Sequence, residues 1–386
     1  MSSSSAGARE FRWGIMGSGL ISSDFVHALG HVPGARVTAV AARSLSKAKE
    51  FAAKHSIPAA FGSYEDLSRA ADVDIVYVGT IHPAHFECAK TAITHGKSVL
   101  CEKPMCMTAT EAAALVKLAK AHNVFLMEGM WTRFFPAVVS ALDLVREGKI
   151  GDVVEVISDF GFASKVSESS RLYNLDMGGG GLLDIGIYVI ASAAFVWGCE
   201  PVDVRAVGWR EPTGADSCGV LALKYGTEAD GGPPRIASLT YSMRTLTKER
   251  TIYQGTRGKI TLRPSHCPTK MKLEVDGEEP VTKHFDLPKP SSRNFTNSSG
   301  FVYEIERVHA LLAAGATECP EWSLKTAVDM ARLLDTVRTQ LGVVYTQHDG
   351  LVTRVLSLSN MWPISFRVAS TLLLVCTVAL TRGPRS

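Results

Sequence analysis

The 386-residue sequence predicts an α/β Rossmann domain with a parallel sheet, followed by an α+β domain with a large, mostly antiparallel sheet. Three observations carry this. Short apolar runs alternate with helix-like stretches through the first third, the signature of βαβ units. A glycine-spaced turn, "GIMGSGLIS", follows the first of those runs. Beyond about residue 150, strand-like runs instead follow one another, as in an antiparallel sheet covered by helices on one face.

The elements follow in order. "FRWGIMG" (11–17) reads as a strand and "SSDFVHALG" (22–30) as a helix. "ARVTAVAA" (35–42) and "SLSKAKEFAAKH" (44–55) repeat the pair, with a serine at the helix start. "VDIVYVGT" (73–80) reads as a buried strand and "AHFECAKTAITHG" (84–96) as its helix. "KSVLCEK" (97–103) is the next strand, and 108–123 is an amphipathic helix with a capping box at Thr108 and Glu111. "VFLMEG" (124–129) closes the series. Strands are then expected at 152–163, 201–210, 218–226, 235–243, 250–256 and 258–264, with helices at 182–198 and 301–315. The later helix is expected to return near the first domain. The organisation is thus a disordered start (1–9), a dinucleotide-binding domain (10–130), an α+β substrate domain (131–345) and an apolar tail (346–386).

Composition excludes several classes. Apolar residues make up 46% and charged residues 20%, which suits globular cores. A net charge of +3 is too balanced to argue for nucleic acid or an acidic membrane. The eight cysteines are scattered without CxxC pairs, so reduced thiols in the cytoplasm are expected, with no metal site. Asn294 and Asn297 begin glycosylation sequons, which matter only in a secreted chain. The tail at 351–386 is apolar, but Arg367 and Pro363 interrupt it, and membrane anchoring is not favoured.

The glycine turn carries the first chemistry. Gly17 and Gly19, with Ser22 in the third place, have the spacing of a pyrophosphate-binding loop. The helix amino terminus, with Leu20 and Ile21, then faces an anion. NAD sites carry a carboxylate at the end of the second strand. Here Arg43, Ser44 and Lys47 stand there, a set suited to a 2′-phosphate, so NADP is expected. Thr80, His82 and His85 follow the next sheet strand, and Glu102, Lys103 and Pro104 the one after. All are candidates for cofactor contact at the carboxyl edge of the sheet.

Lys103 is the central candidate. An ammonium there can stabilise a developing alkoxide as hydride leaves. The alternative is a structural pair with Glu102, and position alone does not choose. The stretch "DMGGGGLLDIGIYVI" (176–190) adds Asp184 and Tyr188, four residues apart on one expected helix. A carboxylate and a phenol one turn apart suit proton transfer. The four glycines suggest close backbone approach, plausibly to a ligand.

"GIMGSGLIS", Glu102-Lys103-Pro104 and "GGGLLDIGIY" together resemble the oxidoreductase family named after glucose–fructose oxidoreductase and inositol dehydrogenase (Gfo/Idh/MocA), over residues 10 to 345. The resemblance implies a Rossmann domain and an open-faced second sheet that supports a homodimer. Many members end the second motif in His, where this chain has Tyr188. That departure, with "MEGMWTRFFP" (127–136), resembles the branch that oxidises aromatic dihydrodiols or D-xylose with NADP. The resemblance implies Lys103 and Tyr188 as catalytic pair and Asp184 as support. Tyr188 would take or relay the hydroxyl proton while Lys103 lowers the phenol pKa. His85, Trp131, Arg133 and Phe134 are candidates for the substrate side, each with a structural alternative, and Phe160 and Phe162 read as core. Other sugar dehydrogenases and a non-catalytic NADP-binding regulator are the competing readings. A sensor needs neither Lys103 nor Tyr188.

Overall fold

The computed structural model describes residues 10–348 apart from 168, 228 and 230. The start at 1–9 and the apolar tail at 351–386 lie outside the described residues.

The first sheet is built from β1 (Phe11–Met16), β2 (Ala35–Ala41), β3 (Ala59–Phe61), β4 (Ile75–Val78), β5 (Ser98–Glu102) and β6 (Leu126–Gly129). Between them run α1 (Leu20–Leu29), α2 (Leu45–His55), α3 (Tyr64–Arg69), α4 (His85–Thr94) and α5 (Ala109–His122). All neighbouring pairs are parallel, in the order β3-β2-β1-β4-β5-β6. The strand order therefore reverses between β1 and β4, which opens a crevice at their carboxyl ends. β4 is buried throughout, as its β-branched run requires. Thr108 caps α5 by accepting from the Glu111 amide at 3.2 Å. The sequence reading misses β3 and α3, because a three-residue strand is too short to show a period.

The chain then forms α6 (Pro136–Arg146), β7 (Val153–Gly161) and α7 (Ile187–Trp197). The strands β8 (Asp203–Arg210), β9 (Asp216–Tyr225), β10 (Arg235–Ser242), β11 (Arg250–Gly255), β12 (Gly258–Arg263), β13 (Lys270–Val275) and β14 (Val281–His284) follow. The second sheet has the order β14-β13-β12-β11-β7-β10-β9-β8. Only β7 and β10 pair in parallel. α8 (Phe301–Ala313) and α9 (Leu324–Leu341) complete the described elements. The sequence reading lacks α6, β13, β14 and α9.

The last two helices tie the two sheets into one unit that runs to Val343. On α9, Leu324, Ala327, Val328 and Ala331 enter the apolar core of the parallel sheet. On α8, His309 accepts from the Trp13 indole at 3.0 Å, and Phe301 meets Phe25 edge-on. Nearby, buried Asp24 accepts from the Asn294 amide group at 2.5 Å and from the backbone amides of Asn294 and Phe295. The Asn297 amide group donates to the Cys267 carbonyl at 2.9 Å. Both sequon nitrogens thus serve the fold. The described cysteines are free thiols.

Candidate active site

The glycine turn is shaped for an anion. Gly17 has φ +103°, and a Cβ there would lie 2.5 Å from the Gly79 carbonyl oxygen, so only glycine fits. A Cβ on Gly19 would meet nothing within 4 Å. Gly19 is also the N-cap of α1, with no side-chain cap, so the first amides of the helix face open space. Ser22 is fully buried, and its hydroxyl donates to the Gly79 carbonyl, which seats the helix on the sheet. Leu20 is largely exposed at the mouth, with Ile21 beside it.

At the end of β2, Arg43 is exposed and makes no hydrogen bond or ion pair with another described residue. Ser44 caps α2, and its hydroxyl lies 2.7 Å from that of Ser46. Lys47 is exposed one turn on. The glycine turn and these polar groups fit a dinucleotide cofactor.

Lys103 follows β5 directly, and its peptide bond to Pro104 is cis. Its backbone amide donates to Glu102 Oε2 at 3.3 Å, while the Tyr77 hydroxyl donates to Oε1 at 2.8 Å. The ammonium itself does not pair with Glu102. Nζ donates to the Asp184 backbone carbonyl at 2.6 Å and lies 4.7 Å from the centre of the Tyr188 ring. Burial pulls the Lys103 pKa down, with Asp184 and Glu102 opposing.

The expected helix at 182–198 opens differently. Leu182–Gly186 is a π-helical turn, and only from Ile187 is the helix regular. Such turns recur at functional sites. It presents the Asp184 carbonyl to Lys103, while the Asp184 carboxylate turns to Arg171, whose two terminal nitrogens donate at 3.1 and 3.2 Å. Burial pushes the Asp184 carboxyl up, but Arg171, Lys103 and His82 outweigh it and hold the pKa below the ordinary value. Three of the four glycines before the turn approach protein closely. A Cβ on Gly178 would lie 2.8 Å from both His82 and Pro83, one on Gly179 would strike the Arg171 and Asn174 backbone, and one on Gly181 would meet Tyr241.

Tyr188 contradicts the expected pKa lowering. Its phenol is held well above the ordinary value, by burial first and then by Glu102 and Asp184. The reason is geometric: Lys103 sits over the ring face, with its proton on a backbone oxygen.

The remaining candidates divide. Trp131 is buried, its ring tilted against Phe301 with centres 4.5 Å apart, and its indole nitrogen lies beside Tyr188. Phe134 is buried in the same short turn. Arg133 leaves the group: its guanidinium lies over the Phe195 ring, 5.9 Å from its centre. His85 is fully buried between backbone carbonyls, with Nδ1 2.8 Å from Pro104 O and Nε2 3.2 Å from Thr80 O. Burial lowers its pKa to about 4, so the ring is neutral and its one N–H belongs to the shorter contact. Nδ1 thus braces the lysine loop, and Nε2, without a hydrogen, faces the Thr80 carbonyl. His82 Nδ1 donates to the Gly178 carbonyl at 3.0 Å, joining the glycine loop to the sheet.

The sequence reading missed Tyr77, Arg171 and His266. The His266 ring stacks on Phe160 at 4.0 Å and lies 5.8 Å from Tyr188. Phe160, expected as core, therefore forms a wall of the site, 6.0 Å from Tyr188. Arg171 and His266 lie in irregular segments without motif or period, so no sequence signal marks them. Among the described residues, no group of three or more His, Cys, Asp or Glu is arranged for a metal.

Residues 11–130 match the oxidoreductase family with an NAD-binding Rossmann fold, and residues 138–261 match the Gfo/Idh/MocA C-terminal domain. The chain is 40% identical over 342 residues to a Bos taurus trans-1,2-dihydrobenzene-1,2-diol dehydrogenase, covering 87% of this chain and 98% of that protein. The chain belongs to the Gfo/Idh/MocA oxidoreductase family. A Homo sapiens relative of the same name is 39% identical over 341 residues, 87% of this chain and 98% of that one. Among solved structures, a 3-ketoreductase from Actinomadura kijaniata, in complex with NADP and TDP-benzene, has a TM-score of 0.73 at 25% identity, covering 86% and 98%. A levoglucosan dehydrogenase in complex with NADH and levoglucosan shares the fold, with a TM-score of 0.75 at 19% identity, covering 86% and 97%. As a member of the Gfo/Idh/MocA family, the protein is an NAD(P)-dependent dehydrogenase of carbinols.

Proposed function

We propose that this dehydrogenase uses NADP to oxidise a trans-dihydrodiol of an aromatic hydrocarbon, with Lys103 and Tyr188 acting on the carbinol. The observation that carries the reading is the packing of the Lys103 ammonium against the Tyr188 ring inside an aromatic wall of Trp131, Phe160 and His266. Aromatic faces suit a planar ring substrate. The curated relatives named for this reaction support the same choice. Exposed Arg43 and Lys47, with the Ser44 hydroxyl between them, support NADP over NAD.

The cofactor, when bound, supplies the hydride acceptor. The Tyr188 phenol, which holds its own proton, relays the hydroxyl proton of the carbinol: it accepts that proton as it passes its own on to solvent. Lys103, tethered by the Asp184 carbonyl, holds positive charge where the alkoxide develops. Arg171 fixes the Asp184 carboxylate and so the turn that carries the tether. Trp131 and Phe160 exclude water. The ketone formed from a dihydrodiol tautomerises to a catechol. D-xylose, oxidised at C1 to a lactone, is the competing substrate.

Two further readings belong here. Val207, Trp209 and Val220 are exposed on β8 and β9, on the face away from α9, and support a homodimer through this sheet. The free thiols support a cytoplasmic location.

The test is NADPH formation, followed by absorbance, with a trans-benzene dihydrodiol and D-xylose in parallel and Lys103→Met beside the wild type. Turnover of the diol, lost in the variant, is expected. Faster turnover of xylose would move the assignment to the sugar. NADP binding without turnover of either would favour another sugar substrate first and a non-catalytic regulator second.

A further inference from the structure

Three glutamates, Glu102, Glu128 and Glu304, are buried and act on one another, and they are not equivalent. Glu102 accepts from the Tyr77 hydroxyl and the Lys103 amide. Glu128 accepts from the Met105 amide at 2.7 Å and the Trp322 indole at 2.8 Å. Both carboxyls receive donors on both oxygens and suit the anion. Glu304 is 0% exposed, and neither of its oxygens has a partner.

α8 places Glu304 in the same wall. Phe301, one turn earlier, meets Trp131 at 4.5 Å and Phe25 at 5.5 Å, and Phe25 stacks on Tyr77 at 3.7 Å. The titratable groups facing Glu304 are Tyr77 on β4, Glu102 at the end of β5 and Glu128 on β6. Burial, then Glu102 and Glu128, push its carboxyl well above the ordinary range. An unpaired carboxylate at such a place is costly, so Glu304 holds a proton.

A nicotinamide bound beside Lys103 would change the charge at this wall with its redox state. The oxidised nicotinamide ring is a cation and the reduced ring is neutral. A second cation beside Lys103 is compensated most directly by ionising the one buried acid that is still neutral. We propose that Glu304 is a charge-compensating acid: protonated in the free protein, it ionises when the oxidised dinucleotide binds and keeps its proton when the reduced one binds. This rests on the NADP reading above. On binding, the carboxylic O–H bond breaks, its electron pair stays on Glu304, and the proton passes to the solvent. With the reduced dinucleotide bound, Glu304 would take a proton back from the solvent and be neutral again.

The test is calorimetric titration of the whole protein with NADP and with NADPH, in buffers of different ionisation enthalpy. Net proton release with NADP, little with NADPH, and loss of that difference in Glu304→Gln are expected. Equal release by both dinucleotides, or release that persists in the variant, overturns the proposal and points to Lys103 as the source. If neither dinucleotide binds, the cofactor reading fails, and the proposal with it. Should Glu304→Gln not fold, infrared difference spectra of the wild type decide. The carboxylic-acid carbonyl band should vanish on adding NADP and survive NADPH; a band that NADP leaves unchanged, or no such band at all, overturns the proposal.

Discussion

At the scale of single residues, the site depends on where one ammonium and one phenol are held. Tyr188→Phe keeps the ring under Lys103 but removes the hydroxyl that relays the proton. Its kcat should fall about a hundredfold to ten-thousandfold, as for loss of a general base, while dinucleotide affinity in a binding titration stays unchanged. Arg43 has no partner within the described protein, so its substitution tests the cofactor directly. Arg43→Asp should weaken NADP by about 2 kcal/mol, roughly thirtyfold in KM, and improve NAD relative to it. Equal loss for both dinucleotides would place Arg43 against the adenine instead. Asp184 gives a pH test. A carboxyl held below its ordinary range stabilises the fold above about pH 4 and loses that contribution as pH falls through the lowered value. Arg171→Leu should cost about 1–3 kcal/mol at neutral pH and flatten this acid-side dependence, read by thermal melts across pH.

At the scale of elements, the deciding piece is the glycine loop with its π-helical turn. A regular helix through Leu182 would keep every carbonyl inside its own ladder. The π turn instead presents Asp184 O to Lys103. The turn is pinned from behind, where Asp216 accepts from the Leu182 amide at 2.6 Å and from the Tyr241 hydroxyl at 2.7 Å. Gly178 is the hinge most sensitive to change, because it combines φ +70° with contact to His82 and Pro83. Gly178→Ala should therefore destabilise by at least about 1–3 kcal/mol, seen as a lower melting temperature. Activity should fall further than stability alone explains, since the loop leads directly into the turn. A neutral melt with full activity would show that the loop tolerates the shift. The sequence reading recognised these glycines as a place of close approach. It assigned the approach to a ligand because nothing local says that His82, 96 residues earlier, is what comes near.

At the scale of the whole molecule, two long-range closures make the enzyme. α8 and α9 return to the parallel sheet, so the wall of the site contains residues from both ends of the described chain. The outer face of the second sheet, by contrast, is left open. Val207 and Trp209 are 76% and 66% exposed there, which is much apolar surface for a face in water. Trp209→Arg should convert the proposed dimer to a monomer in sedimentation velocity, with the fold retained in circular dichroism. An unchanged sedimentation coefficient would remove this face as the interface.

What the sequence by itself determined was whatever local chemistry dictates. The strand–Gly17–Gly19–helix turn, the alternation that makes a parallel sheet, the cap at Thr108, and the positions of Lys103 and Tyr188 at motif ends all follow from patterns within a few residues. The tertiary structure alone decided what those groups meet. It turned the Lys103 ammonium to a backbone carbonyl rather than to Glu102, sent Arg133 away to Phe195, enclosed His85 between two carbonyls, and brought Arg171 and His266 to the site from segments with no signature. The physical reason is that charge and proton affinity in a buried site depend on desolvation and on neighbours distant in sequence, and neither is encoded in any local period.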